Sequence, residues 1–532
     1  MNGAEALLLT LLNNDVTMCF ANPGTSEMQF VAALDRHPGM RGVLCLFEGV
    51  ATGAADGYAR MTGHPAATLL HLGPGLANGL ANLHNARRAG TPVVNIVGDY
   101  AGSHKPLDSP LESDIDAAAA TVSSWVRRPS EPADVGPDAA AAVAAALDAG
   151  VPGDTDRSRT GTSGAVSTLI VPADLSWSQG GRPAKRVTRR SLRSVPDHDV
   201  DSIAALITGP ETTALLIDGA GLGEDGLHAA ARVHKATGTQ FFCPTWPARL
   251  RRGAGVPEVQ PLNYRSEGVH QQLEGVQHLV LVGAREPVAS FAYPGRPSTL
   301  TPPSTTVHRL APEAGFDIVG ALTRLADMVA PGGAASLPDP LATPRITDEP
   351  LRTGNWAQVI GALLPREAIV VDESITEGMN TLSAATAYAP AHDVLGLKGL
   401  AIGQGLPVSV GAALACPDRP VVCLQADGSA LYTISALWTQ AREELNVTTV
   451  ILNNRSYAIL RAELDRVGAG RTGQAAESLL DLGRPDIDFT AIATGLGVAA
   501  SRARTTAELA EQFAGAQRAP GPHLIEAVLQ PA

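Results

Sequence analysis

Short runs of aliphatic and β-branched residues recur along the chain with room for one helix between them. In the first third these runs are Met18–Ala21, Gly42–Leu46, Thr68–His71, Pro92–Val97 and Ser167–Pro172. Between them lie segments whose apolar residues fall three and four apart: Ala4–Leu12, a stretch from about Glu27, Ala51–Met61, Leu76–Ala89 and Asp138–Ala149. The short runs have the length of buried strands, and the longer spacing is that of crossover helices. Their alternation predicts a doubly wound parallel sheet. Turns are expected at Asn22-Pro23-Gly24-Thr25 and Gly73-Pro74-Gly75, and a polar loop at 153–163.

The same rhythm returns twice. After a Gly-, Arg- and Pro-rich link, Gln179–Ser194, strands are expected at Ala214–Ile217, Thr239–Cys243 and His278–Val282. A second link, Pro331–Pro344, precedes a third block from Leu351. The fold class is therefore α/β with three parallel-sheet domains, at 1–178, 195–330 and 351–532. The blocks are too dissimilar in sequence to count as repeats.

Composition narrows the function classes. At 532 residues the chain exceeds one core. Forty Lys and Arg against 53 Asp and Glu leave a net charge of −13 with no basic block, which argues against nucleic acid as a partner. No apolar run approaches the ~20 residues of a membrane span. The ALLLTLL run follows Glu5 without a basic flank, so it reads as one face of a first helix, and a cytoplasmic protein is expected. Cys19, Cys45, Cys243, Cys416 and Cys423 form no CxxC pair and read as core residues of a reducing compartment.

The chemistry concentrates in Val421–Asn454. A strand (Val421–Gln425) leads to Asp427, Gly428 and Ser429; a helix is expected from near Tyr432, and a second strand (Val447–Leu452) ends at Asn453-Asn454. In a parallel unit both strand ends open on one edge, so Asp427 and Asn454 can converge on one ion, and so few oxygen ligands suit Mg²⁺. The plain alternative is a βαβ unit whose Asp caps a helix. Glu48, at a strand-to-helix junction, is either a helix cap or a functional carboxylate.

Two long motifs, Ala426-Asp427-Gly428-Ser429 with Asn453-Asn454 and Glu48–Arg60 (EGVATGAADGYAR), together resemble the two halves of a thiamine diphosphate site. Such sites occur in the acetolactate synthase, pyruvate oxidase and benzoylformate decarboxylase group. The resemblance runs through the first and last blocks and implies pyrimidine-binding, central and diphosphate-binding domains. It implies that Asp427, the Asn454 side chain and the Ser456 carbonyl hold Mg²⁺. Gly428, Ser429, Tyr432, Tyr457, Ile375 and Thr376 would contact the cofactor, the Leu400 carbonyl would accept from its aminopyrimidine, and Ile402 would bend it. Glu48 would protonate the pyrimidine nitrogen from another subunit, so a homodimer or homotetramer is implied.

The implied reaction is decarboxylation of a 2-oxo acid through an enamine intermediate, which is then protonated to an aldehyde or added to a second carbonyl, as in a carboligase. A cofactor-binding paralogue without turnover is the non-enzymatic alternative. His71 falls where benzoylformate decarboxylase has an active-site His, and also suits a buried strand end. Thr25 falls where that enzyme has a Ser that binds the substrate carboxylate. Against that substrate, Val288–Pro294 has no His and Glu463 replaces an aromatic residue. Asp99 replaces the Gln of acetolactate synthases, and Ala426 replaces the usual Gly. Gly219–Gly223 is a short Gly-rich turn after a strand, and FAD is not expected.

Overall fold

The computed structural model describes residues 1–147, 166–188, 191–311, 315–335, 337, 344–379, 381–469 and 473–530. The expected loop at 153–163, the end of the Ala-rich helix and part of each link lie outside these residues. Three sheets organise the chain. The first has strands β1 (Met18–Asn22), β2 (Arg41–Leu44), β3 (Ala66–Leu70), β4 (Val93–Asp99), β5 (Trp125–Arg127) and β6 (Val166–Pro172), in the order β2-β1-β3-β4-β6-β5. Every neighbouring pair is parallel. β3, β4 and β6 are buried along their whole length, as expected of strands covered on both faces by helices.

The second sheet contains β7 (Thr213–Ile217), β8 (Gln240–Cys243), β10 (Gln260–Pro261), β11 (His278–Val282) and β12 (Thr306–Leu310), ordered β10-β8-β7-β11-β12. The third contains β13 (Ile369–Glu373), β14 (His392–Gly396), β15 (Val421–Ala426), β16 (Val447–Asn453), β17 (Ala499–Ala503) and β18 (His523–Val528). At its edge β9 (Leu250–Arg252), from the middle of the chain, pairs antiparallel with β14. The middle block thus contributes a strand to the third sheet, a long-range pairing that no local pattern announces.

Several boundaries differ from expectation. Gly73-Pro74-Gly75 is not a turn: it lies in the first coil of a helix, Leu72–Ala89. Proline is tolerated there because the first amides of a helix have no intrahelical acceptor. The helix expected from near Tyr432 is two pieces, Asp427–Ala430 and Ala436–Arg442, with Tyr432 in the connection. The Glu48 helix spans Glu48–Thr62 and closes on Gly63 in the left-handed conformation.

The Glu48–Thr62 helix packs across the helix Gly405–Ala415 of the third block, and glycines make the crossing close. A Cβ on Gly57 would lie 2.2 Å from the Val408 carbonyl oxygen, and one on Gly411 would lie 1.9 Å from that of Ala54. Asp56 and Arg60 of the same helix form a buried pair (Nε–Oδ1 2.8 Å). Arg60 also donates to the Gly396 carbonyl (2.8 Å) and to Gln404 Oε1 (3.1 Å). The tail of the EGVATGAADGYAR motif is therefore a bolt between blocks, and its head faces the candidate chemistry.

Candidate active site

The first half of the site lies at the carboxyl ends of β1, β2 and β3. Glu48 is the first residue of its helix and is buried; Phe47 is the cap position, so the carboxylate is not an N-cap. Asn78 Nδ2 donates to its Oε2 at 3.0 Å. A Cβ on Gly75 would meet Glu48 Oε1 at 3.1 Å and the His71 Cβ at 3.5 Å, so Gly75 leaves these two side chains on adjoining ground. His71 precedes the Leu72–Ala89 helix, and Leu72 is held at φ 53°, a left-handed conformation that costs a leucine about 1–3 kcal/mol.

The His71 ring is positioned by a residue the sequence reading passed over. Glu27 Oε2 stands 2.8 Å from His71 Nδ1 and accepts from the Gly24 amide at 2.7 Å. Burial pushes the Glu27 carboxyl above its ordinary range, while His71 and the Gly24 amide pull it back. Glu27 Oε1 is buried with no protein partner, and a Cβ on Gly98 would stand 1.6 Å from it. Thr25 opens the same short 3₁₀ turn, Thr25–Glu27, and is exposed. An acid three residues after Pro23-Gly24, inside a turn, was the signal available in the sequence. Asp99, next to Gly98, is engaged by Arg128 and by Lys105 (3.3 Å).

The second half lies at the carboxyl ends of β13, β15 and β16. Asp427 is buried; its Oδ1 accepts from the Gly428 amide (2.8 Å) and its Oδ2 from that of Arg455 (2.7 Å). Burial pushes the carboxyl up to about 6, against the pull of the amides of Gly428, Arg455, Asn454 and Ser456. Asn454 Oδ1 accepts from the Ser456 amide (2.9 Å), and its Nδ2 donates to Glu377 (3.0 Å). The Ser456 hydroxyl is buried without a protein partner. A half-desolvated carboxylate, a neighbouring amide oxygen and an unpaired hydroxyl at two strand ends fit a small hard cation. Among the described residues no group of three or more His, Cys, Asp or Glu side chains is arranged to hold a metal.

The remaining predicted residues surround that point. Ser429 donates to the Ala426 carbonyl (3.2 Å) and accepts from Gln425 Nε2 (2.6 Å). The Tyr457 ring lies where a Cβ on Gly428 would be, at 2.5 Å, while Tyr432 is exposed against Gly403. Ala426 has φ −71° and ψ 147°, an extended conformation that any side chain adopts, so its methyl carries no strain. Ile375 (φ 48°), Leu400 (φ 61°) and Arg455 (φ 57°) are left-handed, and positive φ is costly for a β-branched residue such as Ile375. Thr376 follows Ile375 in the turn after β13. Of the nine non-glycine residues at positive φ among the described residues, Ile375, Leu400, Arg455 and Leu72 fall in segments singled out by the sequence; strain of this kind can be retained for function.

Within the chain the first block contacts the third through the loop that carries Leu400 and Ile402. His84 Nε2 bonds the Gly399 carbonyl (3.1 Å), Asn85 bonds the Ala401 carbonyl (2.7 Å) and amide (3.1 Å), and Asn82 Nδ2 lies between the carbonyls of Gly49 (2.8 Å) and Gly403 (3.3 Å). Among the described residues no hydrogen bond or ion pair links Glu48 to Asp427, Asn454 or Ser456 within the chain. Around these segments Leu46, Leu400, Leu431 and Tyr432 are left exposed. Glu463, on the helix Ala458–Arg466, accepts from Tyr293 of the middle block (2.7 Å) and from Arg466 (3.1 Å). Tyr293 thus occupies the stretch where no His was found. A cavity of about 870 Å³ between the second and third sheets, lined by Trp246, Arg252, Tyr264 and His392, includes neither Glu48 nor Asp427.

A doubly wound α/β chain with an acid and an imidazole at one sheet edge and an Asp–Asn strand-end pair at another belongs to the thiamine pyrophosphate enzymes. The models of that family's N-terminal and C-terminal cofactor-binding domains match residues 1–119 and 378–527. The chain is 55% identical over 530 residues, 99% of each chain, to a Mycobacterium tuberculosis protein provisionally named acetolactate synthase large subunit IlvX. It is 29% identical to benzoylformate decarboxylase of Pseudomonas aeruginosa, over 98% of this chain and 97% of that one. The structure of a thiamine diphosphate-dependent 4-hydroxybenzoylformate decarboxylase from Rhodococcus jostii superposes with a TM-score of 0.83 at 24% identity, covering 100% and 99% of the chains. That last likeness speaks for the fold. No helix among the described residues is long and apolar enough to cross a membrane.

Proposed function

We propose that the protein is a Mg²⁺- and thiamine diphosphate-dependent decarboxylase of a 2-oxo acid that releases an aldehyde. The observation that carries this reading is the Glu27–His71 pair, 2.8 Å apart and one residue's width from Glu48. With Nδ1–H donating to the buried carboxylate, His71 keeps Nε2 for exchanging a proton with a bound molecule. Thr25, on the same turn, offers a hydroxyl to the substrate carboxylate.

The cofactor supplies an electron sink for carbon dioxide loss. The chain's own residues bind, bend and protonate. Asp427, Asn454 and the Ser456 carbonyl hold Mg²⁺; Gly428, Ser429, Ile375, Thr376, Tyr432 and Tyr457 hold the diphosphate end; the Leu400 carbonyl and Ile402 hold the ring. Glu48 places a proton on the pyrimidine nitrogen, a task suited to a carboxyl in a low-dielectric site. Two copies of the chain complete each site, which accounts for the lack of any bond between Glu48 and Asp427 in one copy and for the exposed Leu46, Leu400, Leu431 and Tyr432.

A carboligase is the second reading, favoured by the provisional name of the 55% identical relative. A panel of 2-oxo acids, with and without an acceptor aldehyde, separates the two by product mass. Aldehyde as the main product supports decarboxylation; acetolactate from pyruvate alone replaces it with the second reading.

A further inference from the structure

One buried acid beside the site has no part in the assignments above. Glu373, the last residue of β13, is 1% exposed. Its Oε1 accepts from the Gly403 amide at 2.6 Å and its Oε2 from the Gly405 amide. Those amides belong to the entry of the Gly405–Ala415 helix, whose own cap residue, Gln404, supplies no side-chain cap. The first amides of a helix need acceptors, and a carboxylate is a strong one there. Here the acceptor comes from a strand thirty residues earlier.

The next peptide is held as well: the Gly403 carbonyl accepts from Thr433 Oγ1 (2.9 Å) and from Asn82 (3.3 Å). Gly403 has φ 91°, and Tyr432 leaves no room for a Cβ there. Ile402, two residues after the strained Leu400, is therefore followed by two consecutive peptides that are both held, 402–403 through the Gly403 N–H and 403–404 through the Gly403 carbonyl. Glu373 itself is followed at once by Ser374, Ile375 and Thr376, the turn assigned to the diphosphate. Its carboxylate is also within reach of Gln425 and Ser429 on β15 and the turn beyond, and these with the two amides oppose a burial that pushes the carboxyl up to about 7.

We infer that Glu373 is a positioning residue that sets the ring-holding loop, Gly399–Gly403, at a fixed distance from the diphosphate turn, so that Ile402 and the Leu400 carbonyl are in place before the cofactor arrives. The inference rests on the cofactor reading above and deepens it. Among the hydrogen bonds of the described residues its carboxylate touches neither Asp427 nor Asn454, and its two backbone bonds both go to the ring-holding side, at Gly403 and Gly405. The larger part of its effect therefore falls on the ring end of the cofactor.

Glu373→Gln is the test, because the amide keeps the volume but turns an NH₂ against an amide donor. Three measurements are made on the full-length protein. Hydrogen exchange of 399–405 without cofactor should speed by about 10-fold or more, with 421–428 and 447–456 unchanged. Thiamine diphosphate with Mg²⁺ should bind about 10–100-fold more weakly by calorimetry. Pyrophosphate with Mg²⁺, which has no ring, should bind as it does to the parent protein. Unchanged exchange in 399–405, or an equal loss of pyrophosphate and thiamine diphosphate binding, overturns the inference. If the parent protein binds no thiamine diphosphate, the cofactor reading fails, and the exchange measurement still decides whether Glu373 holds the loop. Should Glu373→Gln fold poorly, Thr433→Val, which removes a bond to the Gly403 carbonyl, must give the same pattern in milder form.

Discussion

The two halves of the site are built from different materials. At the sheet edge of the first block the chemistry is in side chains: Glu48, Glu27 and His71 are acids and an imidazole with few backbone partners, and one Glu27 oxygen has none. In the third block the backbone dominates: Asp427 is ringed by amides of Gly428, Asn454, Arg455 and Ser456. The first arrangement suits the movement of protons, and the second suits the holding of a charged object, as proposed above. Side chains that exchange protons need an unsaturated valence, whereas a binding cradle gains from dipoles that cost no rearrangement when charge arrives.

This contrast predicts separable defects. Glu48→Gln should lower turnover by about 10²–10⁴-fold while calorimetry finds cofactor affinity near that of the parent. Full turnover in that variant would end the proton assignment. Asp427→Ala should do the reverse at the binding step, weakening Mg²⁺-dependent uptake beyond the roughly 10–100-fold that loss of an outer-shell group costs. Retained native affinity would place the metal elsewhere. Gly98→Ala forces a methyl onto Glu27 Oε1 and should displace the Glu27–His71 pair, with about 100-fold loss of turnover and no change in cofactor binding.

The smallest effect is a pH dependence of the cradle. The Asp427 carboxyl sits at about 6, above its ordinary 3.8, so its contribution to the stability of the cofactor-free protein is present below pH 3.8 and is lost as pH rises through 6. A bound cation reverses this, because it needs the ionised form. Below pH 6, Mg²⁺-dependent binding should therefore weaken by about tenfold per pH unit beyond the protonation of the free ligand itself. Calorimetry from pH 5 to 8 checks it, and a flat profile would show that the Asp427 carboxylate does not hold the cation.

Much of this was legible in the residues. Apolar runs with helix-length gaps set the strands, and every expected strand has its counterpart within a few residues; Asp427 and Asn454 fall at parallel strand ends as the pattern requires. Local pattern misjudged the helix entries. Gly73-Pro74-Gly75 looks like a turn, yet helix entry tolerates those residues, and the helix sought near Tyr432 is interrupted where the chain must pass Gly403.

The sequence by itself determined which elements form and which carry acids, because strand and helix periods are properties of neighbouring residues. Only the tertiary structure decided what those acids do. Glu27 meets His71 across 44 positions, Glu373 meets Gly403 across 30, and Asn82 meets Gly403 across 321. Such partners are chosen by which strands lie side by side and which helices cross closely enough to need glycine. A carboxylate becomes a cap, a base or a splint only when burial and its nearest donors are set, and no short-range pattern contains either.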